Sequence, residues 1–489
     1  MLFVSFAFLL FLPICFLLYW GFARHFRLQN LFIVCASYIF YGWADWRYLG
    51  LIFGYTLWSF ISGLLLEKID VKWQRKLVFY ATICLNLGVL SIYKYFDFFV
   101  DGFGRILNLF GVETDWPTLN LILPIGISFF TFQALSYTID VYSRKLKATR
   151  DIISFFAFLS FFPQLVAGPI ERADTLLPQF QRKRVFRYSE GVEGMKMILW
   201  GFFKKMVIAD NCANVVDKIF GDIYHTNSLT LMTGAILFSF QIYGDFSGYS
   251  SIARGCGKLF GVNLMQNFNL PYFSKSLKEF WRRWHISLNL WLRDYIYFPL
   301  GGNRNGGAFT VLNLLIVFAI SGLWHGAKWT YIIWGLLNGI LISLMIFSSV
   351  IKRKYLIDSK ELQAEPENKP KEKGIILSIL SACAVFGIVT LLWVVFRSTS
   401  ISSAWYYIKN IFSFKGVWAL ETSGVHPCLI FIVVMLILEF INRRKADTLN
   451  FPNTGILKLK SVRWFAYWLF ALATFVFAGN EAPFIYFQF

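Results

Sequence analysis

The chain has 489 residues, of which 57% are apolar, 20% aromatic and only 15% charged, whereas a soluble domain is about 25% charged. Too little polar surface exists to coat a water-soluble body, so disordered, fibrous and wholly soluble enzyme classes are excluded and a multi-pass membrane protein is left. Its 47 Lys and Arg against 28 Asp and Glu give a formal charge of +19. The basic residues sit in short clusters between apolar runs, the pattern that orients membrane proteins and meets anionic lipid headgroups rather than nucleic acid.

Along the chain, an apolar run opens at Met1 and continues to Trp20 with no basic segment before it and no small-residue cleavage site after it. It reads as a retained first span rather than a signal peptide. Runs of membrane-crossing length follow at 31–44, 48–66, 77–100, 119–142, 192–208, 229–250, 309–323, 329–350, 374–396, 428–441 and 464–478. Several are short or carry Gly, Pro or Lys and read as broken or re-entrant. The expectation is an all-α polytopic fold of ten to thirteen crossings, centred on eleven or twelve, with interfacial or re-entrant helices between them.

Loops 21–30, 67–76 and 143–150 are basic (Arg24, Arg27, Lys68, Lys72, Arg75, Lys76, Arg144, Lys145, Lys147, Arg150), while loop 101–118 sets Asp101, Glu113 and Asp115 against Arg105. Positive-inside logic puts the N-terminus outside the cytoplasm and the basic segments 182–187, 352–373 and 443–460 inside it. Segment 352–373 has the composition of a solvated linker. It divides the chain into a core at 1–351, with its chemistry-bearing motifs between 245 and 326, and C-terminal transmembrane helices at 374–489. The seven cysteines are scattered without a CxxC pair and imply neither a disulfide framework nor a metal site. Neither a fixed-period repeat nor an inverted pair of interrupted helices of the transporter kind is visible.

Ionisable residues inside the membrane are functional candidates by default. Of five histidines, His25, His225 and His426 fall in loops and read as surface residues. His325 lies in Ser321-Gly-Leu-Trp324-His-Gly-Ala-Lys328 at the junction of two apolar runs, with Gly322 and Gly326 allowing close backbone approach. Two readings fit it equally: an imidazole that takes a proton from an alcohol and returns it, or one that hydrogen-bonds two helices together. His285 lies in Phe280-Trp281-Arg282-Arg283-Trp-His-Ile-Ser-Leu-Asn289-Leu-Trp-Leu-Arg293-Asp-Tyr-Ile-Tyr297. Read as one helix, this segment puts Trp281, His285, Leu288, Leu292 and Tyr295 on one stripe, with Arg282, Asn289 and Arg293 on the neighbouring face. It is then either a membrane-surface helix with lipid-facing arginines or a helix whose arginine face grips an anionic donor. Gly301–Gly307 lacks phosphate-loop spacing and reads as a turn with a weak anion nest. Asp245, near the end of an apolar run, either pairs with a buried arginine and orders the site or sits among headgroups.

At these residues the chain resembles the membrane-bound O-acyltransferase family, of the bacterial alginate O-acetylating type, over nearly its whole length. The matching stretches are Phe161-Phe-Pro-Gln-Leu-Val-Ala-Gly-Pro-Ile-Glu-Arg172, Asp245-Phe-Ser-Gly-Tyr249, Asn267-Phe-Asn-Leu-Pro-Tyr272, Phe280–Tyr297 with Pro299-Leu-Gly-Gly302, Ser321-Gly-Leu-Trp-His-Gly326 and Phe484-Ile-Tyr-Phe-Gln-Phe489. Less closely it is similar to the membrane component that D-alanylates teichoic acids. The resemblance implies helices around a central funnel in a bacterial inner membrane, with a site near mid-membrane. It makes His325 the essential histidine and His285 the second one. Where the family often has Asp, this chain has Ser251, which removes any carboxylate role at that position.

The chemistry implied is acyl transfer, most simply of acetyl, from a cytoplasmic thioester with no resident cofactor or metal. Acetyl-CoA or an acyl carrier protein is the donor, docking near Trp281, Arg282, Arg283, Asn289 and Arg293. His325 is the general base, and Asp245, Ser321 and Trp324 shape the site. The acceptor is an exported polysaccharide such as alginate or a hydroxyl on an exported SGNH-hydrolase-like acetyltransferase. The partners are then membrane lipids and polysaccharide biosynthesis proteins. The competing reading is a transporter or channel that moves a lipid or small anion without forming bonds.

Overall fold

The computed structural model describes residues 1–112, 116–166, 168–358, 374–414, 424–443, 449–451 and 455–487. Every regular element among the described residues is helical, because a segment in lipid must satisfy its own backbone N–H and C=O groups. Among the described residues, five helices are long and apolar enough to cross a membrane: Trp46–Lys68, Lys72–Lys94, Gly307–His325, Trp329–Phe347 and Ile375–Arg397. Shorter apolar helices lie at Phe6–Gly21, Ile152–Leu165 and Val425–Ile441. The molecule is an all-α, polytopic membrane protein.

Most apolar runs coincide with helices, and three differ instructively. The run at 119–142 becomes helical only at Ile127–Tyr142, since Pro117 and Pro124 interrupt its first part; there the N–H groups of Leu119 and Asn120 donate to Asp97 instead. The run at 77–100 divides at Tyr95 into Lys72–Lys94 and Phe96–Leu109. The run at 192–208 starts as the α-helix Tyr188–Phe202 and widens into a π-helix at Phe203–Ala209. Beyond the end predicted for its run, helix Trp329–Asp358 continues through the first seven residues of the proposed linker; 359–373 lie outside the described residues, as do 444–448 and 452–454 of the basic segment 443–460.

The chain forms two compact units. The first comprises residues 1–211, 241–267 and 428–489. Within it the segments 188–209 and 241–259 touch backbone to backbone: a Cβ on Gly201 would lie 2.6 Å from the Gly248 carbonyl oxygen, and one on Gly248 2.9 Å from that of Gly201. Only glycine permits this approach. It brings the buried lysines Lys204 and Lys205 against the facing helix, where Lys204 Nζ donates to the Ser247 carbonyl and to Ser251 Oγ (3.1 and 2.8 Å). Lys205 Nζ pairs with Asp210 at 2.6 Å and Asp245 at 2.9 Å.

The C-terminal segment closes the same cluster. Lys205 Nζ donates to the Ala482 carbonyl (2.8 Å) and Asp245 accepts the Ile485 N–H (2.6 Å). Within this unit, hydrogen bonds connect the basic segments 67–76, 143–150, 182–187 and 21–30 or the residues flanking them. Arg75 donates to the carbonyls of Leu66, Val141 and Tyr142, Gln181 to Thr149 Oγ1, and the buried Arg184 to Asn30 Oδ1 (2.5 Å).

The second unit comprises residues 212–240 and 268–427. Helix Ile375–Arg397 therefore belongs to the same unit as residues 268–351, although the proposed linker separates them in sequence. Arg397 pairs with Asp217 at 2.7 Å and Tyr407 Oη donates to the Leu231 carbonyl at 2.8 Å.

Candidate active site

Both candidate histidines lie in the second unit. Helices Gly307–His325 and Trp329–Asp358 form a hairpin whose contact face is made by Gly322 and Gly335. A Cβ on Gly322 would run into the Tyr331 carbonyl oxygen, and one on Gly335 into that of Phe318. This close approach fixes the hairpin tip, so His325, the last residue of its helix, is held against residues of the partner helix. Gly322→Ala is accordingly expected to force the backbones apart, lowering stability by about 1–3 kcal/mol. Displacing the imidazole by about 1 Å should lower turnover by about 10², so a melting curve and an acyl-transfer assay on the same preparation check both effects.

His325 is 5% exposed. Three aromatic rings meet it edge to face: Trp324 at 5.1 Å, Trp334 at 5.4 Å and Phe396 at 5.2 Å between centroids. Ser321, one turn earlier, is buried on the same helix. His285 reaches the same box through Trp324, whose ring lies 5.7 Å from it. Trp281 joins from outside, against Phe318 at 5.4 Å and Trp334 at 5.7 Å.

The segment around His285 is not the single helix its periodicity suggests. It consists of Leu277–Arg283, Ile286–Leu292 and a π-helical turn at Arg293–Tyr297, and His285 stands at the break with φ of 42°. A left-handed conformation costs a non-glycine residue about 1–2 kcal/mol. Asn289 holds it: its Nδ2 donates to the carbonyls of Trp281 (2.6 Å) and Trp284 (2.5 Å), satisfying the end of the first helix, while Asn269 N–H takes the Arg283 carbonyl (2.9 Å). The predicted stripe and arginine face therefore do not form as such, because the break re-aims every residue after Trp284. Outside the spanning helices, burial pushes the His285 imidazole down to about 3, so it serves as a neutral ring.

The polar candidates separate. Asn289 turns its amide into the joint. Asn289→Ala should free two carbonyls, cost about 1–3 kcal/mol and unseat His285; Asn289→Asp, which cannot donate, should behave alike in melting and activity measurements. Arg282 is exposed, Arg283 pairs with Glu279 (2.6 Å) and the exposed Arg293 with Asp294 (2.7 Å). Asp245 belongs to the first unit, and its cationic partner is Lys205, not an arginine; what it orders is the C-terminal segment. Gly301 and Gly302 take positive φ in a turn pinned by Asn313 Nδ2, which donates to the Leu300 and Gly302 carbonyls.

Sequence reasoning missed Trp334, Trp393 and Phe396. Only the i, i+3 spacing of Trp393 and Phe396 hinted at a shared face. No group of three or more metal-binding side chains occurs among the described residues.

Residues 128–360 match the model of MBOAT, the membrane-bound O-acyltransferase family. The chain is 38% identical over 466 residues to "Probable alginate O-acetylase AlgI" of Azotobacter vinelandii, covering 94% of this chain and 88% of the relative. It is 32% identical to "Peptidoglycan O-acetyltransferase" of Helicobacter pylori, covering 98% and 95%. To "Teichoic acid D-alanyltransferase" of Streptococcus thermophilus it is 29% identical over 60% of this chain and 77% of that one.

Proposed function

Because the chain belongs to the membrane-bound O-acyltransferase family, and so is an O-acyltransferase embedded in a membrane, we propose that it carries acetyl from a cytoplasmic thioester, acetyl-CoA or an acyl carrier protein, to a hydroxyl on the far side. The acceptor is an exported polysaccharide, or an exported acetyltransferase that completes the transfer. The observation that carries this reading is His325 itself: a buried imidazole at the tip of a glycine-locked hairpin, edged by three aromatic rings that hold it in one orientation. His325 takes the proton of the acceptor hydroxyl as its oxygen attacks the thioester carbonyl carbon. The tetrahedral intermediate then expels the thiolate, which recovers that proton from the imidazolium. His285, neutral and linked through Trp324, orients the donor or its carbonyl.

The membrane is the bacterial inner membrane, with the N-terminus outside the cytoplasm. The four basic segments connected by hydrogen bonds within the first unit support that orientation. The relatives' names are those of transferases, so the transporter reading is set aside.

The test is to incubate the purified protein in nanodiscs with radiolabelled acetyl-CoA and an exported-polysaccharide oligomer. Release of free CoA with label in the oligomer supports the reading; a thioester left intact here, and again when acetyl-charged acyl carrier protein replaces acetyl-CoA, rejects it.

A further inference from the structure

Two buried indole N–H groups beside the histidine box lack any acceptor among the described residues, those of Trp281 and Trp393. Trp393 is 2% exposed, so water does not bathe its ring. An N–H left unsatisfied in such a place costs about 1–3 kcal/mol, and an uncompensated donor in a packed core calls for an explanation. Both rings touch Trp334, Trp281 at 5.7 Å and Trp393 stacked at 5.5 Å, and Trp334 is one of the three rings edging His325. Trp393 also meets Phe396, another of those rings, at 5.5 Å. Two idle donors thus share one ring with the imidazole, in surroundings of low polarity where a hydrogen bond to developing negative charge is strongest.

We propose that the Trp281 and Trp393 indole N–H groups are catalytic donors to the carbonyl oxygen of the acyl thioester. This rests on the acyl-transfer reading above. When the acceptor oxygen attacks, a carbon–oxygen bond forms, the carbonyl π pair moves onto its oxygen, and the acceptor proton passes to His325. The two N–H groups meet that oxyanion. Its collapse re-forms the carbonyl, breaks the carbon–sulfur bond and sends the proton to the departing thiolate. Neither tryptophan changes protonation state, and no further reactant enters. The aromatic ring keeps the packing; the N–H supplies the chemistry.

Trp281→Phe and Trp393→Phe retain a ring and remove the donor. In nanodiscs with acetyl-CoA, each is expected to lower kcat by about 10²–10³ with KM for acetyl-CoA changed less than threefold. A purely packing role would lower the melting temperature and leave kcat of the remaining folded protein intact. Independently, wild-type protein should shift the infrared carbonyl stretch of [1-¹³C]acetyl-CoA to lower wavenumber on binding, and each variant should lose part of that shift. Variants with wild-type kcat, or wild-type protein that leaves the carbonyl stretch unmoved, overturn the proposal. If wild-type protein cleaves no thioester at all, the acyl-transfer reading fails and takes this one with it. Cleavage that is abolished by His325→Ala but indifferent to both tryptophan variants rejects this inference alone.

Discussion

Replacing His325 by alanine should reduce acyl transfer by about 10²–10⁴, the contribution of positioned proton transfer, while the protein still folds. The side chain lies at the end of its helix, and the glycine contacts that lock the hairpin do not involve its ring, so loss of the imidazole leaves the hairpin's backbone contact in place. Some stability will be lost because three aromatic edges lose their partner. His325→Asn and His325→Gln, which fill part of that space and can hydrogen-bond but cannot cycle a proton at neutral pH, separate the two effects. If the imidazole only tied helices together, these variants would recover turnover; if it is the base, they stay as slow as the alanine variant while melting closer to wild type. The measurement is release of CoA thiol together with label in the acceptor, and full turnover in any of the three would remove His325 from the mechanism.

The second large effect is on folding. In Lys205→Met the ammonium that serves both Asp210 and Asp245 is gone, and their side chains are 3% and 4% exposed. Breaking a buried ion pair from one side costs about 3–5 kcal/mol, since a charge stays behind without compensation; here two carboxylates stay behind, at the upper end of that range. The Ala482 carbonyl also loses its donor. The expected result is a lower melting temperature with faster proteolysis in the C-terminal segment after Gly479. Lys205→Met with Asp245→Asn should recover part of the stability, because one stranded charge is removed and the Asn carbonyl can still accept from Ile485. A single variant that melts like wild type would show that the cluster is solvated in the folded protein.

Both effects trace to residues of unequal visibility in the sequence. His325 stood out because a histidine between two glycines at the junction of apolar runs is conspicuous, and its motif carries the family resemblance. Asp245 was visible as a carboxylate near the end of an apolar run, but its partner was not: Lys205 lies 40 positions earlier in a run that reads simply as a lysine-interrupted span. Serine at 251, noted as a departure from the family, is the acceptor for Lys204, a pairing that no local pattern announces.

The helical class, the membrane setting, the approximate helix positions and the family were legible in the sequence alone. A chain crossing lipid must close its hydrogen bonds within each segment, so each span declares itself by its own composition and needs no knowledge of its neighbours. The working parts of the site were decided only by tertiary structure. The rings around His325 come from three separate helices, and the break at His285 is held by Asn289 reaching back to carbonyls five and eight residues earlier. Periodicity records which side of a helix is apolar; it does not record which apolar side chain faces a particular imidazole, because that depends on how distant segments pack once they are in the membrane.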